Sequence, residues 1–136
     1  MLAVNIKISD LMRTPFVSEG RDFKVGLDCW GLVMEVSKRA GIELPDFIVK
    51  ASDECGIENK FACEISSGKW RKLDKAEVGS IVVIRNSCGP FHNHFGVYLG
   101  YGKFIHALKR MKGIVVDRIS NPIWKTKIDG FYVLKK

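Results

Sequence analysis

At 136 residues with a formal net charge of +7, the chain has the length of one domain, and its 46% hydrophobic content is enough to bury a core without disulfides or metals. That composition excludes a disordered chain or a coiled coil, no apolar run approaches the ~18 residues of a membrane span, and MLAVNIKISDLMR lacks the pattern of a cleaved signal peptide. The basic balance favours anionic partners such as nucleic acid, phospholipid headgroups or cell-wall polymers, or else is a solvated surface.

In chain order, residues 3–13 suit a short helix or strand. Residues 14–27, TPFVSEGRDFKVGL, read as a loop around Pro15, Gly20 and Gly26. Residues 29–40, CWGLVMEVSKRA, predict the main helix: Leu32, Val33, Val36 and Ala40 form one stripe, Asp28 stands at the N-cap and Gly41 stops it. Residues 42–79 read as mostly irregular. From Gly79 the period becomes that of strands: SIVVIR, HFGVYLG, KFIHALK, GIVVDRI and GFYVLK. The expectation is an α+β domain over 1–136, with a helix packed on an antiparallel sheet of about five strands. There is no internal repeat, low-complexity tract or linker to divide it.

The hairpin HFGVYLGYGKFIH has a natural closure, a three-residue loop of Gly100, Tyr101 and Gly102 with Gly102 left-handed. That closure pairs Leu99 with Lys103, Tyr98 with Phe104 and Gly96 with His106. His94, Gly96, Tyr98, Phe104 and His106 then share one face, and the other face is apolar. The two histidines are diagonal neighbours, with Gly96 leaving room for the rings to meet.

The cysteines stand at 29, 55, 63 and 88, and no pair has the two-residue gap of a zinc knuckle or redox motif. Cys29 differs by its place in DCWGLV, at the first turn of the helix. There the partial positive charge and free N–H groups favour a thiolate, so its pKa is expected to be lowered and its alkylation to outpace that of Cys55, Cys63 and Cys88. A buried cysteine on the apolar stripe is the plain alternative. A cysteine at a helix start with two histidines on one sheet face suits a nucleophile, a base and an orienting residue. A Cys-His-His zinc site is the rival, but these motifs hold no carboxylate or second cysteine to complete it, so neither metal nor organic cofactor is expected. His92, in the loop before the strand, is peripheral. The chain shows no aromatic-interleaved basic strand or recognition helix, so nucleic acid is not an expected partner.

Together, GLDCWGLV (26–33), GSIVVIR (79–85), HFGVYLG (94–100) and FIHA (104–107) resemble the ordered motifs of the NlpC/p-sixty family of cysteine peptidases, which have a papain-like fold. DCWGLV with GIELPD, Trp70 to Leu73, and the closing stretch from Trp124 to Tyr132 resemble the phage-tail and prophage branch. The resemblance implies hydrolysis of amide bonds in bacterial peptidoglycan stem peptides, next to γ-D-glutamate. It makes Cys29 the nucleophile, His94 the base and His106 the orienting residue. It sets Asp28 toward the substrate's amine end, with Trp30 and Phe16 also at the substrate. Three positions depart from the pattern: Phe16 stands where the family carries tyrosine, Trp30 where it carries serine, and Ser80 where it carries aspartate. The partners it implies are stem peptides and other tail proteins, with synthesis in the cytoplasm and action on the wall from a virion tail. Two other readings stay open: a tail-tip assembly protein with little peptidase activity, and a papain-like amidase or acyltransferase on another substrate. The basic cluster Lys109, Arg110 and Lys112 either lies beside the cleft, where it would attract anionic substrate, or is a solvated strand end.

Overall fold

The computed structural model describes residues 6–47, 50, 53–85 and 93–135. Cys88 and His92 lie outside the described residues. A short 3-10 turn, Ser9–Arg13, opens the described chain and buries Leu11. The segment read as loop contains a small antiparallel ribbon, β1 (Arg21–Asp22) with β2 (Gly26–Leu27). The main helix, α1, runs Cys29–Arg39 and buries Trp30, Leu32, Val33 and Val36. The stripe seen in sequence therefore begins earlier than expected, at Trp30.

The segment 42–79 departs from expectation. It holds a second helix, α2 (Glu54–Ser66), capped by Asp53, whose carboxylate accepts from the Gly56 N–H at 2.9 Å. Ile57, Phe61 and Ile65 recur every four residues and pack on the core, a stripe too narrow to stand out among its polar neighbours. It also holds a short edge strand, β3 (Trp70–Leu73), which buries both end residues.

The strands read from sequence are all present: β4 (Ile81–Ile84), β5 (His94–Gly100), β6 (Lys103–Leu108), β7 (Gly113–Arg118) and β8 (Ile128–Leu134). With β3 they form one six-stranded antiparallel sheet ordered β3-β8-β4-β5-β6-β7. A one-turn helix, α3 (Pro122–Lys125), precedes β8. The two faces of the sheet carry separate cores. Phe95, Val97, Ile105 and Ala107 pack with α1, whereas Val82, Ile84, Phe104 and Leu108 enclose Trp124 of α3.

The β5–β6 hairpin keeps Gly96 opposite His106 and Tyr98 opposite Phe104, as expected. Its closure differs. Gly100 pairs with Lys103, and the register shifts between Tyr98 and Gly100. The loop is therefore the two residues Tyr101 and Gly102, at φ 53° and 76°. Two consecutive left-handed residues match the twist of the flanking strands, which a wider loop would relax.

Candidate active site

The start of α1 is held from three directions through Asp28. Its Oδ1 accepts from the Gly31 N–H at 2.8 Å, which is the N-cap bond, and from Arg21 Nη1 at 2.7 Å. Its Oδ2 accepts from the Glu19 N–H at 3.1 Å. Arg21 reaches onward, with Nε on Asp46 at 2.8 Å and Nη2 on the Phe47 carbonyl at 2.8 Å. The loop can come this close because of Gly31, where a Cβ would stand 2.1 Å from the Gly20 carbonyl oxygen. Asp28 is 4% exposed, and burial raises its pKa against these hydrogen bonds. It lines the pocket, and both of its oxygens are engaged within the chain. Its visible work is to fix the helix start.

Cys29 is the first residue of α1, and the backbone N–H groups of Phe95 and Trp30 lie near its sulfur and draw its pKa down. The Phe95 contact joins the helix start to the strand position next to His94. The thiol does not have the lowered pKa read from its helix position. Enclosure of the sulfur, with the Asp28 carboxylate beside it, pushes it up to about 12, against the pull of those N–H groups and of Arg21. Burial and a neighbouring anion outweigh half a helix dipole. The cysteine rests as a thiol.

The two histidines meet as expected. His94 Nε2 lies 2.7 Å from His106 Nδ1. Gly96 makes the approach possible, since a Cβ there would stand 2.7 Å from the Ile105 carbonyl oxygen and 3.1 Å from the His106 Cβ. His94 is 5% exposed and His106 fully buried. Burial, and then the neighbouring His106, hold the His94 pKa well below the ordinary imidazole range. Burial also lowers that of His106, although Asp117 pulls it back up.

Two residues that sequence reasoning missed complete this cluster. His106 Nε2 lies 2.7 Å from Asp117 Oδ2, and the Trp124 indole N–H donates to the same oxygen at 3.1 Å. Trp124 meets the His106 ring edge-on at 4.9 Å and stacks beside His94 at 6.0 Å. The signal for Asp117 was present in GIVVDRI: a single acid in a strand, at an alternation position shared with Val115 rather than with core-facing Ile114. Among the described residues, no group of three or more His, Cys, Asp or Glu side chains is placed to hold a metal ion.

Cys29 and His94 face one pocket of about 220 Å³. Its walls are largely aromatic and aliphatic. Trp30 donates its indole N–H to the Pro45 carbonyl at 2.9 Å and stands edge-on to Phe95 at 5.4 Å. Phe16 contributes an apolar edge, and its backbone N–H bonds the Lys112 carbonyl at 3.0 Å. The far wall is α2, through Ile57, Lys60, Phe61, Glu64 and Ile65. Lys109 also lines the pocket; Arg110 and Lys112 are exposed but do not. Cys55 and Cys63 are free and exposed, away from these groups.

Residues 13–133 match the model of a family described as the NlpC/P60 family. A gamma-DL-glutamyl hydrolase from Bacillus subtilis is 30% identical over 85% of this chain and 25% of its own length. A probable endopeptidase from Haemophilus influenzae is 28% identical over 82% of this chain and 60% of its own. A murein DD-endopeptidase MepS/murein LD-carboxypeptidase from Escherichia coli is 26% identical over 79% of this chain and 50% of its own. The chain thus spans a quarter to three fifths of the length of these curated relatives. Among solved structures, an NLP/P60 family protein from Staphylococcus aureus superposes with a TM-score of 0.64 at 19% identity, covering 95% of this chain and 39% of that one. The NlpC/p60 domain of the peptidoglycan hydrolase SagA superposes with a TM-score of 0.56 at 22% identity, covering 91% and 89%.

Proposed function

The chain belongs to the NlpC/P60 family, with its papain-like α+β fold, and on that footing we propose that it is a cysteine peptidase cleaving amide bonds in peptidoglycan stem peptides. The observation that carries the reading is one pocket holding Cys29 and His94, with His94 bonded on its far side to His106. Relatives named as endopeptidases and as a glutamyl hydrolase support the substrate class.

The chemistry follows from the resting protonation. Cys29 is a thiol and His94 a neutral imidazole, so the proton moves to His94 as sulfur attacks the amide carbonyl. With the Gly31 and Leu32 N–H groups taken by Asp28, the Cys29 N–H at the start of α1 is the group that meets the developing oxyanion in this reading. His94 then returns the proton to the leaving amine, and water hydrolyses the thioester by the same route reversed. His106 holds the His94 ring through both steps. Trp30 and Phe16 form the apolar edge against the substrate. No step calls for a metal or organic cofactor.

The scissile bond in this reading is that between γ-D-glutamate and the diamino acid. The DCWGLV and GIELPD motifs and the closing IDGFY favour a phage-tail or prophage setting, in which the enzyme reaches the wall from the virion. Mass spectrometry of fragments released from defined stem peptides tests both bond and class. The reading expects a single cut after D-glutamate that disappears in Cys29→Ala. Intact peptides, or cleavage that survives Cys29→Ala, would refute it.

A further inference from the structure

We propose that Asp117 is a positioning residue that dictates the tautomers of both histidines and thereby makes His94 a base toward Cys29. The inference rests on the cysteine-peptidase reading above for its consequence, but its geometry stands apart from the substrate.

A carboxylate only accepts hydrogen bonds. Asp117 Oδ2 lies 2.7 Å from His106 Nε2, so that nitrogen carries the His106 proton. A neutral imidazole has one N–H, and His106 Nδ1 is therefore an acceptor. It lies 2.7 Å from His94 Nε2, which must then donate. The His94 proton is thereby assigned to Nε2, and Nδ1 is left with a free lone pair. Only this tautomer can take the Cys29 proton while keeping its bond to His106. If His106 carried its proton on Nδ1 instead, His94 would accept at Nε2 and hold its own proton on Nδ1, which is the wrong form for a base.

The fold fixes the carboxylate for this task. In the β6–β7 register His106 pairs with Val115 and Phe104 with Asp117, so Asp117 stands diagonally beside His106 on the same face. The Trp124 N–H bonds the same oxygen at 3.1 Å and restrains it. Trp124 is 2% exposed, on a turn capped by Asn121, whose side chain accepts from the Ile123 N–H at 2.9 Å. Its ring closes over both imidazoles.

The same carboxylate offsets the charge that forms during the reaction. When His94 becomes an imidazolium, Asp117 is one ring away through His106. The other charged or titratable groups around the pair are Cys29 and Asp28 at the start of α1, Lys109 after β6, and Lys127, whose ammonium sits 5.6 Å from the Trp124 ring centre. Neither proton between the rings nor that toward Asp117 leaves its nitrogen: the thiol proton goes to His94 Nδ1 and from there to the leaving amine.

The test compares wild type with Asp117→Asn, Asp117→Glu and Trp124→Phe in the full chain. Ring nitrogen-15 shifts report the tautomers directly and need no substrate. Wild type should show His94 protonated on Nε2 and bare on Nδ1, and Asp117→Asn should mix or invert this. With stem peptide, Asp117→Asn should lower kcat roughly 10- to 100-fold with KM within about twofold. It should also move the acid limb of the pH profile to lower pH, because the imidazolium loses its counter-charge. Asp117→Glu should recover part of the loss. Trp124→Phe keeps a ring but drops the N–H, and should cost a few-fold in kcat. An unchanged His94 tautomer in Asp117→Asn, or an unchanged kcat and acid limb, would overturn the proposal. If wild type does not cleave stem peptides while the nitrogen-15 tautomers follow Asp117, the functional reading falls and this one stands.

Discussion

On one side of the cleft, His94, His106 and Asp117 stand on three adjacent strands; on the other, Cys29 rides on a helix start whose place is set by a loop. The first wall is secured by ladder hydrogen bonds on β5, β6 and β7 and by a buried core beneath Trp124. The second depends on Arg21, which ties Asp28, Asp46 and the Phe47 carbonyl together. Proton handling sits on the rigid wall, where a sub-ångström error would misalign a base. The nucleophile and the aromatic lining sit on the wall joined to loops, where a substrate side chain must be admitted. The two walls should therefore fail differently: damage to the strand wall lowers kcat, whereas damage to the clamp lowers stability and raises KM.

The largest contrast comes from the reacting pair. Cys29→Ala and His94→Ala should each reduce stem-peptide cleavage by on the order of 10³-fold or more, with far-ultraviolet circular dichroism unchanged. His106→Asn should retain part of the activity, about 10- to 100-fold below wild type with KM nearly constant, since an amide can still bond His94. On the opposite wall, Arg21→Ala leaves a carboxylate that is 5% exposed without its cation. Denaturant unfolding should show a loss of about 2 kcal/mol, with KM raised more than kcat is lowered. If Arg21→Ala instead lowered kcat alone, the division between the walls would be lost.

The histidine wall also predicts an acid sensitivity. Both imidazoles have folded pKa values below the ordinary 6.5, so below that pH the unfolded chain binds protons that the folded chain refuses. Stability should be fully present above about pH 6.5 and fall as pH drops, by up to about 1.4 kcal/mol per pH unit for each such histidine. Thermal unfolding from pH 7.5 to 5 measures it, and a replacement of His94 that keeps the fold should flatten the slope. The smallest effect belongs to the basic surface. Only Lys109 of its cluster lines the pocket. Lys109→Gln should weaken the salt dependence of KM a few-fold, and neutralising Arg110 and Lys112 should add little.

The strand wall was also the legible one. Strict alternation in HFGVYLG and KFIHALK sets both histidines on one face, and Gly96 opposite His106 is enough to place the rings together. Asp117 escaped notice because its strand pairs with β6 by a register that no turn residue between them dictates. On the other wall, DCWGLV gave the cap and the cysteine, but the helix-dipole argument misjudged the thiol. The position of Asp28 is visible in the sequence; the burial that raises the Cys29 pKa comes only with the folded chain. α2 was invisible for a related reason. Ile57, Phe61 and Ile65 make a one-residue-wide stripe, and its partners Phe95 and Tyr132 come from distant strands. Arg21, in a glycine-bounded stretch, gave no sign of its bonds to Asp28, Asp46 and the Phe47 carbonyl.

Cys29 and His94 form a neutral pair at rest, which exchanges a proton only during attack. The pH dependence of Cys29 alkylation by a small reagent, read by peptide mass spectrometry, measures this directly, with exposed Cys55 and Cys63 as standards in the same chain. With the thiol pushed up to about 12, labelling of Cys29 should lag both standards at pH 7 and climb about tenfold per pH unit through pH 9 without levelling. A rate that levels off below pH 8, with Cys29 ahead of Cys55, would mean a preformed thiolate–imidazolium pair and would contradict the account.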